Sequence, residues 1–456
     1  MSSFLHRSTF SVPPRTLFDY HARPGAFERL NPPWQPVKVL HASGGIRDGA
    51  KVSIRVPILG PIGFTWDLAH QNFVDGVKFQ DVQLRGPFSR WQHTHTINPH
   101  AGGSELVDEI DYKFPGGPIG DLVNALHFHG ELKRLFNYRH TITRNDLEVI
   151  ARYKTDRALK VLVSGASGLV GTALCAFLGV AGHSVVRLVR RPAKDQSEIF
   201  WDPDTGVLDA NAVEGFDAWI NLSGENVAGG RWTSAFKERL FSSRVNTTGL
   251  LARTIAALSR PPSVFVSASA IGIYGDRGSE LLNENSPPGN DFLADVARRW
   301  EEEALAAESK TRVVLPRIGI VLSARGGALQ KMLPPFLLGV GGRVGSGQQY
   351  MSWISLDDVV YGMYHAVMTS AVTGPVNFVT GEACTNTTFV KTLGSVLRRP
   401  TVFPLPAPIV RLVFGEMGER LLLGSLRVTG GKLKESGFTP AFSTLEAAFR
   451  HVVGRG

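Results

Sequence analysis

Val161-Leu-Val-Ser-Gly165-Ala-Ser-Gly168-Leu-Val-Gly171 is the stretch that decides the fold. An apolar run ends in three glycines, each separated by two residues, and a helix-compatible stretch, Thr172–Leu178, follows. Read as strand, turn and helix, each glycine has a separate task. Gly165 permits the tight turn, Gly168 lets backbone approach a pyrophosphate, and Gly171 lets the helix pack closely on the strand. The pyrophosphate would meet the amide end of that helix, where unpaired N–H groups and the helix dipole favour an anion. Ser167, Leu169 and Val170 complete the loop and the first turn.

Downstream, apolar runs at Lys160–Ser164, Ser184–Val189, Ala218–Leu222, Ser263–Val266 and Arg312–Leu315 alternate with helix-like stretches. Strands buried on both faces read as continuous apolar runs, so this alternation predicts a doubly wound parallel sheet of the α/β class, the Rossmann arrangement. The second run closes on Val189-Arg190-Arg191-Pro192. An NAD site places an acid at this strand end for the ribose 2′-hydroxyl, whereas arginine accommodates the 2′-phosphate of NADP. With arginine and no acid there, NADP is favoured over NAD.

Upstream the character changes. Ten of the thirteen histidines precede residue 156. A strand-like stretch Phe4–Val12 leads to a helical run Arg15–Leu30. Six strands are expected at Val37–His41, Lys51–Pro57, Thr65–Phe73, Val77–Leu84, Ser89–Ile97 and Ser104–Tyr112. A segment from Ile119 to about Ile142 carries Leu122, Val123, Leu126, Leu132, Leu135 and Phe136 at helical spacing. These elements make an α+β domain whose long helix lies across a curved sheet and encloses a cavity. Arg144–Leu159 reads as helix tail and short linker, and from Pro404 a mostly helical tail follows, including Val410–Leu423 and Thr444–Val453. The expected domains are 1–155, 159–403 and 404–456.

The bulk numbers exclude several classes. A hydrophobic fraction of 43% with 20% charged residues is that of a globular protein with a packed core. The net charge of +9 is not concentrated: residues 1–155 hold 18 Lys and Arg against 14 Asp and Glu, leaving 31 against 26 for the remainder. A nucleic-acid binder gathers positive charge on one face, so no nucleic acid is expected. Two cysteines cannot form a disulfide framework, and neither a membrane span nor a signal peptide is apparent, so a cytoplasmic location is expected.

Several further segments resemble one atypical family of short-chain dehydrogenases, the NAD(P)-dependent epimerases. They are Ala218-Trp-Ile-Asn-Leu-Ser-Gly-Glu225, Arg231-Trp232, Ser243-Arg-Val-Asn246, Ser267-Ala-Ser-Ala-Ile-Gly-Ile-Tyr-Gly-Asp276 and Arg299-Trp-Glu301. Leu333-Pro-Pro-Phe336, Gly341-Gly-Arg-Val-Gly-Ser-Gly347 and Trp353-Ile-Ser-Leu-Asp-Asp358 belong with them. The resemblance runs from about Lys160 to the C-terminus and includes that family's small tail domain of unknown role. It implies that Leu222, Ser223 and Gly224 line the cofactor, that Arg244 stands on the next helix, and that Val321 approaches the cofactor after the sixth strand. The first region is similar to the polyketide-cyclase-like, helix-grip ligand-binding fold. Arg29-Leu-Asn-Pro-Pro-Trp34, Phe79-Gln-Asp-Val-Gln83, Gly86-Pro-Phe88, Trp91-Gln-His-Thr-His95 and Asn137-Tyr-Arg-His140 carry that likeness.

The superfamily's usual proton-transfer pair, Tyr-x-x-x-Lys, is missing. None of the eight tyrosines has a lysine four residues later, and the expected positions, near Leu293 and Ala297, cannot move a proton. By the same resemblance Ser269, or alternatively Ser267, would be the hydroxyl that meets a substrate oxygen. Arg298 and Arg299 on the same helix remain protonated and make poor acids. His93 and His95 alternate on one strand, with His127 and His129 near the long helix. Histidines so spaced more commonly line a pocket, and no acid or cysteine in the sequence completes a ligand set, so no metal is expected. Cys175 reads as packing.

Three functions follow as expectations. The first is an NADP(H)-dependent, epimerase-like oxidoreductase acting on a small molecule with an altered proton donor. The second is an NADPH-binding sensor without catalysis. The third makes residues 1–155 a carrier for an apolar ligand.

Overall fold

The structure, a computed structural model, describes residues 2–35, 37–59, 62–117, 128–153 and 155–455. It divides into two compact units, one built mainly on Met1–Lys154 and the other on Thr155–Cys175 and His183–Val452.

The first unit is a seven-stranded sheet. Its strands are β1 (Ser2–Phe10), β2 (Lys38–Ser43), β3 (Lys51–Leu59), β4 (Ile62–Val74), β5 (Lys78–Arg85), β6 (Arg90–His100) and β7 (Gly103–Lys113). Strands β2 to β7 form an antiparallel meander and β1 returns to lie beside β7, giving the order β1-β7-β6-β5-β4-β3-β2. In β6, Trp91, His93, His95 and Ile97 are buried; in β7, Ser104, Leu106, Asp108, Ile110 and Tyr112 are. That period of two places one face of the sheet inward. Helix α3 (His129–Arg152) supplies a buried stripe of Leu132, Phe136, His140, Thr143 and Leu147, spaced by three and four residues. Leu132 and Phe136 join Phe4, Phe88, Trp91, Ile110 and Tyr112 in one apolar cluster. This is the helix-grip arrangement.

Two expectations change in detail. The helix expected over Arg15–Leu30 is two helices, α1 (Pro14–Ala22) and α2 (Ala26–Leu30). Gly25 between them has φ 94°, a left-handed conformation that interrupts the helix. The segment expected to begin at Ile119 is helical from His129, and Leu122, Val123, Leu126 and His127 lie outside the described residues. Its far end continues to Arg152, leaving a linker of only a few residues.

The second unit contains β8 (Lys160–Ser164), α4 (Leu169–Val180), β9 (Ser184–Val189), β10 (Glu198–Asp202), β11 (Ala218–Asn221) and α5 (Ser234–Ala257). After these come β12 (Val264–Ser267), α6 (Phe292–Leu305), β13 (Arg312–Ile318), α7 (Gly327–Leu337), α8 (Leu356–Met368) and β14 (Gly374–Phe378). The seven strands are parallel in the order β10-β9-β8-β11-β12-β13-β14. All five expected strands are present. Strands β10 and β14 were missed, since β10 mixes charge with aromatics near the sheet edge and β14 is short and begins Gly-Pro. The chain leaves β8 towards β9 on one side and later returns to β11 on the other. The crevice at the carboxyl ends of β8 and β11 is therefore the topological switch point, where such sheets bind ligands.

The segment after Pro404 is mostly helical, as expected, but is tied into this unit. Arg427–Val428 pairs in parallel with Leu281–Leu282. The buried Asp358 carboxylate accepts the Ala441 N–H at 2.6 Å and the Phe442 N–H at 3.3 Å. No helix among the described residues is long and apolar enough to cross a membrane.

Candidate functional site

The glycine loop occupies the switch point. Gly165 has φ 69°, and a Cβ there would stand 2.5 Å from the Leu222 carbonyl group. A Cβ on Gly171 would lie 2.2 Å from the Gly165 oxygen, so helix α4 reaches its seat only because that side chain is missing. Gly168 is different. An added Cβ would have one neighbour within 4 Å, the Gly165 oxygen at 3.3 Å, and would otherwise project into open space. Neither fold nor turn requires glycine there. Ser167 and Gly168 are exposed, and Leu169 and Val170 begin α4. The loop presents the amide end of a helix beside open space that a side chain on Gly168 would occupy, and these features fit a dinucleotide pyrophosphate.

The strand register assembles the remainder. Ser164 pairs with Asn221, and Asn221 with Ser267, so β8, β11 and β12 end at one level. The Asn221 amide holds the three ends together. Its Oδ1 accepts from Ser164 Oγ (2.7 Å) and from the Ser223 N–H (3.2 Å), and its Nδ2 donates to Thr248 Oγ1 (2.8 Å) and Ser267 Oγ (3.1 Å). Leu222, Ser223 and Gly224 leave this anchor and pass against the glycine loop. A Cβ on Gly224 would be 3.1 Å from Arg244 Cζ. Arg244 donates to the carbonyls of Leu240 and Glu225, and burial pushes its pKa down to about 10. Leu169 faces Gly326, whose Cβ would lie 3.1 Å from Leu169 Cδ1, while Gly327 stands beside both Leu169 and the Val321 carbonyl. The expected cofactor residues are thus brought together around one crevice.

The two arginines after β9 divide. Val163 pairs with Arg187, so Val189 and Arg190 come level with Gly165 and Ala166. Arg191 forms a two-pronged pair with Glu198, at 2.7 and 2.6 Å. Arg191, then the Lys194 N–H and, least, Arg187 hold the Glu198 carboxyl well below the ordinary carboxylate range. Arg190 is exposed, and its guanidinium carries no ion pair among those seen in the described residues.

The groups expected to handle protons are occupied elsewhere. Ser267 is fully buried at Asn221. Ser269 Oγ donates to Glu301 Oε1 at 2.6 Å. Glu301 is clamped by Arg317 through two bonds of 2.8 Å. Arg317 also donates to Tyr274 Oη, which donates in turn to Asn377. Burial raises the Tyr274 pKa. Ala297, at the expected lysine position, is core. The Glu301–Arg317 pair was not foreseen in the sequence, although a signal existed: an arginine inside the apolar run of β13 must find a buried partner.

Comparison with known proteins places this geometry. Residues 161–379 match the NAD dependent epimerase/dehydratase family, residues 405–452 a domain of unknown function (DUF1731), and residues 10–135 the polyketide cyclase/dehydrase and lipid transport family. An epimerase family protein of Mycobacterium bovis is 39% identical over 296 residues, covering 65% of this chain and 98% of that relative. The chain belongs to the NAD-dependent epimerase/dehydratase family. A human member, the epimerase family protein SDR39U1, is 36% identical over 65% of this chain and the whole of that protein. The solved structure of human SDR39U1 with NADPH has 34% identity and a TM-score of 0.61, covering 65% of this chain and 99% of that one. A structure described as a nucleoside-diphosphate sugar epimerase from Corynebacterium glutamicum is similar over 100% of this chain and 90% of its own. Its TM-score is 0.80 and its identity 30%. That likeness spans both units, so this member carries a helix-grip domain joined to the epimerase fold.

Proposed function

We propose that the second unit binds NADPH in preference to NADH and acts as an oxidoreductase on a small molecule. The single observation that carries the reading is the open space at Gly168, on the loop whose Ala166 stands level with Arg190, an exposed arginine that forms no ion pair among the described residues and only a longer-range interaction with Asp202. The extra phosphate of NADP carries close to two negative charges and calls for a cation not already neutralised. Arg190 meets that need, whereas Arg191 is spent on Glu198. The human relative solved with NADPH supports the same choice. When bound, the nucleotide supplies a hydride. The chain supplies the amides of Ser167 to Val170 for the pyrophosphate, the backbone of Leu222 to Gly224 along the cofactor, and Arg244 and Val321 near its other end.

Proton handling favours a second reading. Ser269 and Tyr274 each donate their only proton to a buried protein acceptor, Ser267 is fully buried and accepts from Asn221, and no Tyr-x-x-x-Lys pair exists. That supports a nucleotide-binding protein that senses NADPH without turning it over. Titration calorimetry with NADPH and NADH tests the shared part, and equal affinity for the two would remove the cofactor preference. Transfer of label from the C4 position of NADPH into any accepted substrate separates enzyme from sensor.

A further inference from the structure

The inner face of the first unit carries a second built site. Strand register creates it in two rows. Along one, His70 of β4 faces Asp81 of β5, which faces His93 of β6. Along the next, His95 of β6 faces Asp108 of β7, which faces His6 of β1. Because His93 and His95 are two residues apart, both rows lie on the same side of the sheet, under helix α3. His140 of that helix completes the group, donating from Nε2 to Asp108 Oδ2 at 2.6 Å. The sequence reading lacked an acid for these histidines. The hairpins supply two.

The imidazoles do not share the acids at random. Each of His93 and His95 turns one ring nitrogen towards Asp81 and the other towards Asp108. His93 Nδ1 lies 3.2 Å and His95 Nε2 3.8 Å from Asp81 Oδ1. His93 Nε2 donates to Asp108 Oδ1 at 2.9 Å, and His95 Nδ1 lies 2.6 Å from the same oxygen. The three atoms aimed inward, from Asp81, His93 and His95, all fall within 4.8 Å of one another. Ligands held at about 2.1 Å around one tetrahedral ion stand roughly 3.4 Å apart, so the separations to Asp81 bracket that spacing. The site is buried: His93 and Asp108 are 3% and 2% exposed. Among the described residues, His95 Nδ1, although 2.6 Å from Asp108, makes no hydrogen bond of acceptable geometry, and His140 Nδ1 has no hydrogen-bond partner. Buried ring nitrogens left in this state are costly unless something else engages the cluster.

We infer that Asp81, His93 and His95 bind one divalent transition-metal ion of the zinc type, with Asp108 orienting both histidines from behind. Two imidazoles and one carboxylate suit Zn²⁺ and its first-row neighbours rather than Mg²⁺ or Ca²⁺, which take oxygen ligands. Metal-bound histidines characteristically donate their other N–H to a carboxylate; His93 does so to Asp108, and His95 holds its other nitrogen 2.6 Å from the same oxygen. Three protein ligands leave a coordination position for water or for an oxygen of a ligand entering the domain. A charged centre of this kind also weighs against a wholly apolar carrier. The inference does not rest on the nucleotide reading.

The test uses the full chain without a histidine tag, stripped with a chelator and titrated with Zn²⁺ by calorimetry and with Co²⁺ by visible absorption. One equivalent should bind, and Co²⁺ should give the intense d–d bands of a four-coordinate site. His95→Ala should weaken binding by roughly 100-fold or more. Asp108→Asn should weaken it about 10- to 100-fold, as loss of an outer-shell partner does, with NADPH affinity unchanged in both. Wild type that takes up no stoichiometric metal overturns the site, as does a His95→Ala protein that binds as tightly as wild type. Should His95→Ala fail to fold, the near-isosteric Asp81→Asn replaces it under the same criterion.

Discussion

The two units each bury a charged cluster, and the clusters are built on opposite principles. In the second unit Glu301 and Arg317 meet through two hydrogen bonds, and Ser269, Tyr274 and Asn377 close the network around them. Charges balance there, and the donors have acceptors. In the first unit two carboxylates face a larger number of imidazoles, and among the described residues the Nδ1 atoms of His70 and His140 have no hydrogen-bond partner, while that of His95 meets Asp108 only in poor geometry. Burial alone would lower the His93 pKa, yet Asp81 and Asp108 on either side lift it to about 9. A closed network stiffens its surroundings, whereas an open one has capacity for something more. The contrast teaches that burial of charge does not by itself mark a functional site. Unused hydrogen-bonding capacity does so better.

The strongest way to break the comparison is to open the closed network. Glu301→Ala leaves Arg317 buried without its carboxylate, and chemical denaturation should show a loss of about 3–5 kcal/mol. A loss below 1 kcal/mol would mean that the pair is better solvated than its burial indicates. Next in size is Gly168→Val, which fills the cradle without touching a turn that needs glycine. NADPH affinity should fall at least about 100-fold, equivalent to roughly 2.7 kcal/mol, while the thermal midpoint moves little. A folded variant with unchanged affinity would place the pyrophosphate elsewhere. Arg190→Ala should weaken NADPH about ten- to hundredfold and leave NADH nearly unchanged, with the gap narrowing as salt screens the exposed pair. Arg191→Ala, by contrast, should act on stability through Glu198 more than on nucleotide choice. Smallest is Ser269→Ala, which removes one hydroxyl from an otherwise intact network. About 1 kcal/mol of stability should be lost, with NADPH affinity unaffected. An abolished hydride transfer in that variant would instead put the hydroxyl against substrate.

What the sequence revealed, and what it hid, follows the range of the interactions. The glycine loop was legible because strand, turn and helix are contiguous in Val161 to Leu178, and each glycine answers to a local demand. The strands of the first sheet were legible from alternation and those of the second, apart from β10 and β14, from continuous apolar runs. The break at Gly25 had its signal in Pro24-Gly25, which the helical pattern on either side obscured. Arg190 and Arg191 could not be distinguished, since the choice is made by Glu198 on the neighbouring strand. Asp81 and Asp108 stood apart from the histidines for a similar reason. Asp81 and His93 are twelve positions apart, and His95 and Asp108 thirteen. Only hairpin register brings each pair face to face, and register depends on turn geometry that a local pattern does not contain.

The placement of β1 sets an order of events during synthesis. Ser2 pairs with Tyr112 and Phe10 with Ser104, so the first strand of this sheet completes its ladder only after β7 has followed. The β5-β6-β7 meander is assembled from neighbouring hairpins, whose short loops close at small entropic cost. The histidine–aspartate rows can therefore form while β1 is still unpaired and one flank of the sheet is open. During that interval a strand bearing the apolar Phe4 and Phe10 waits without its partner, and unpaired edges with apolar side chains are what make partly folded chains prone to associate.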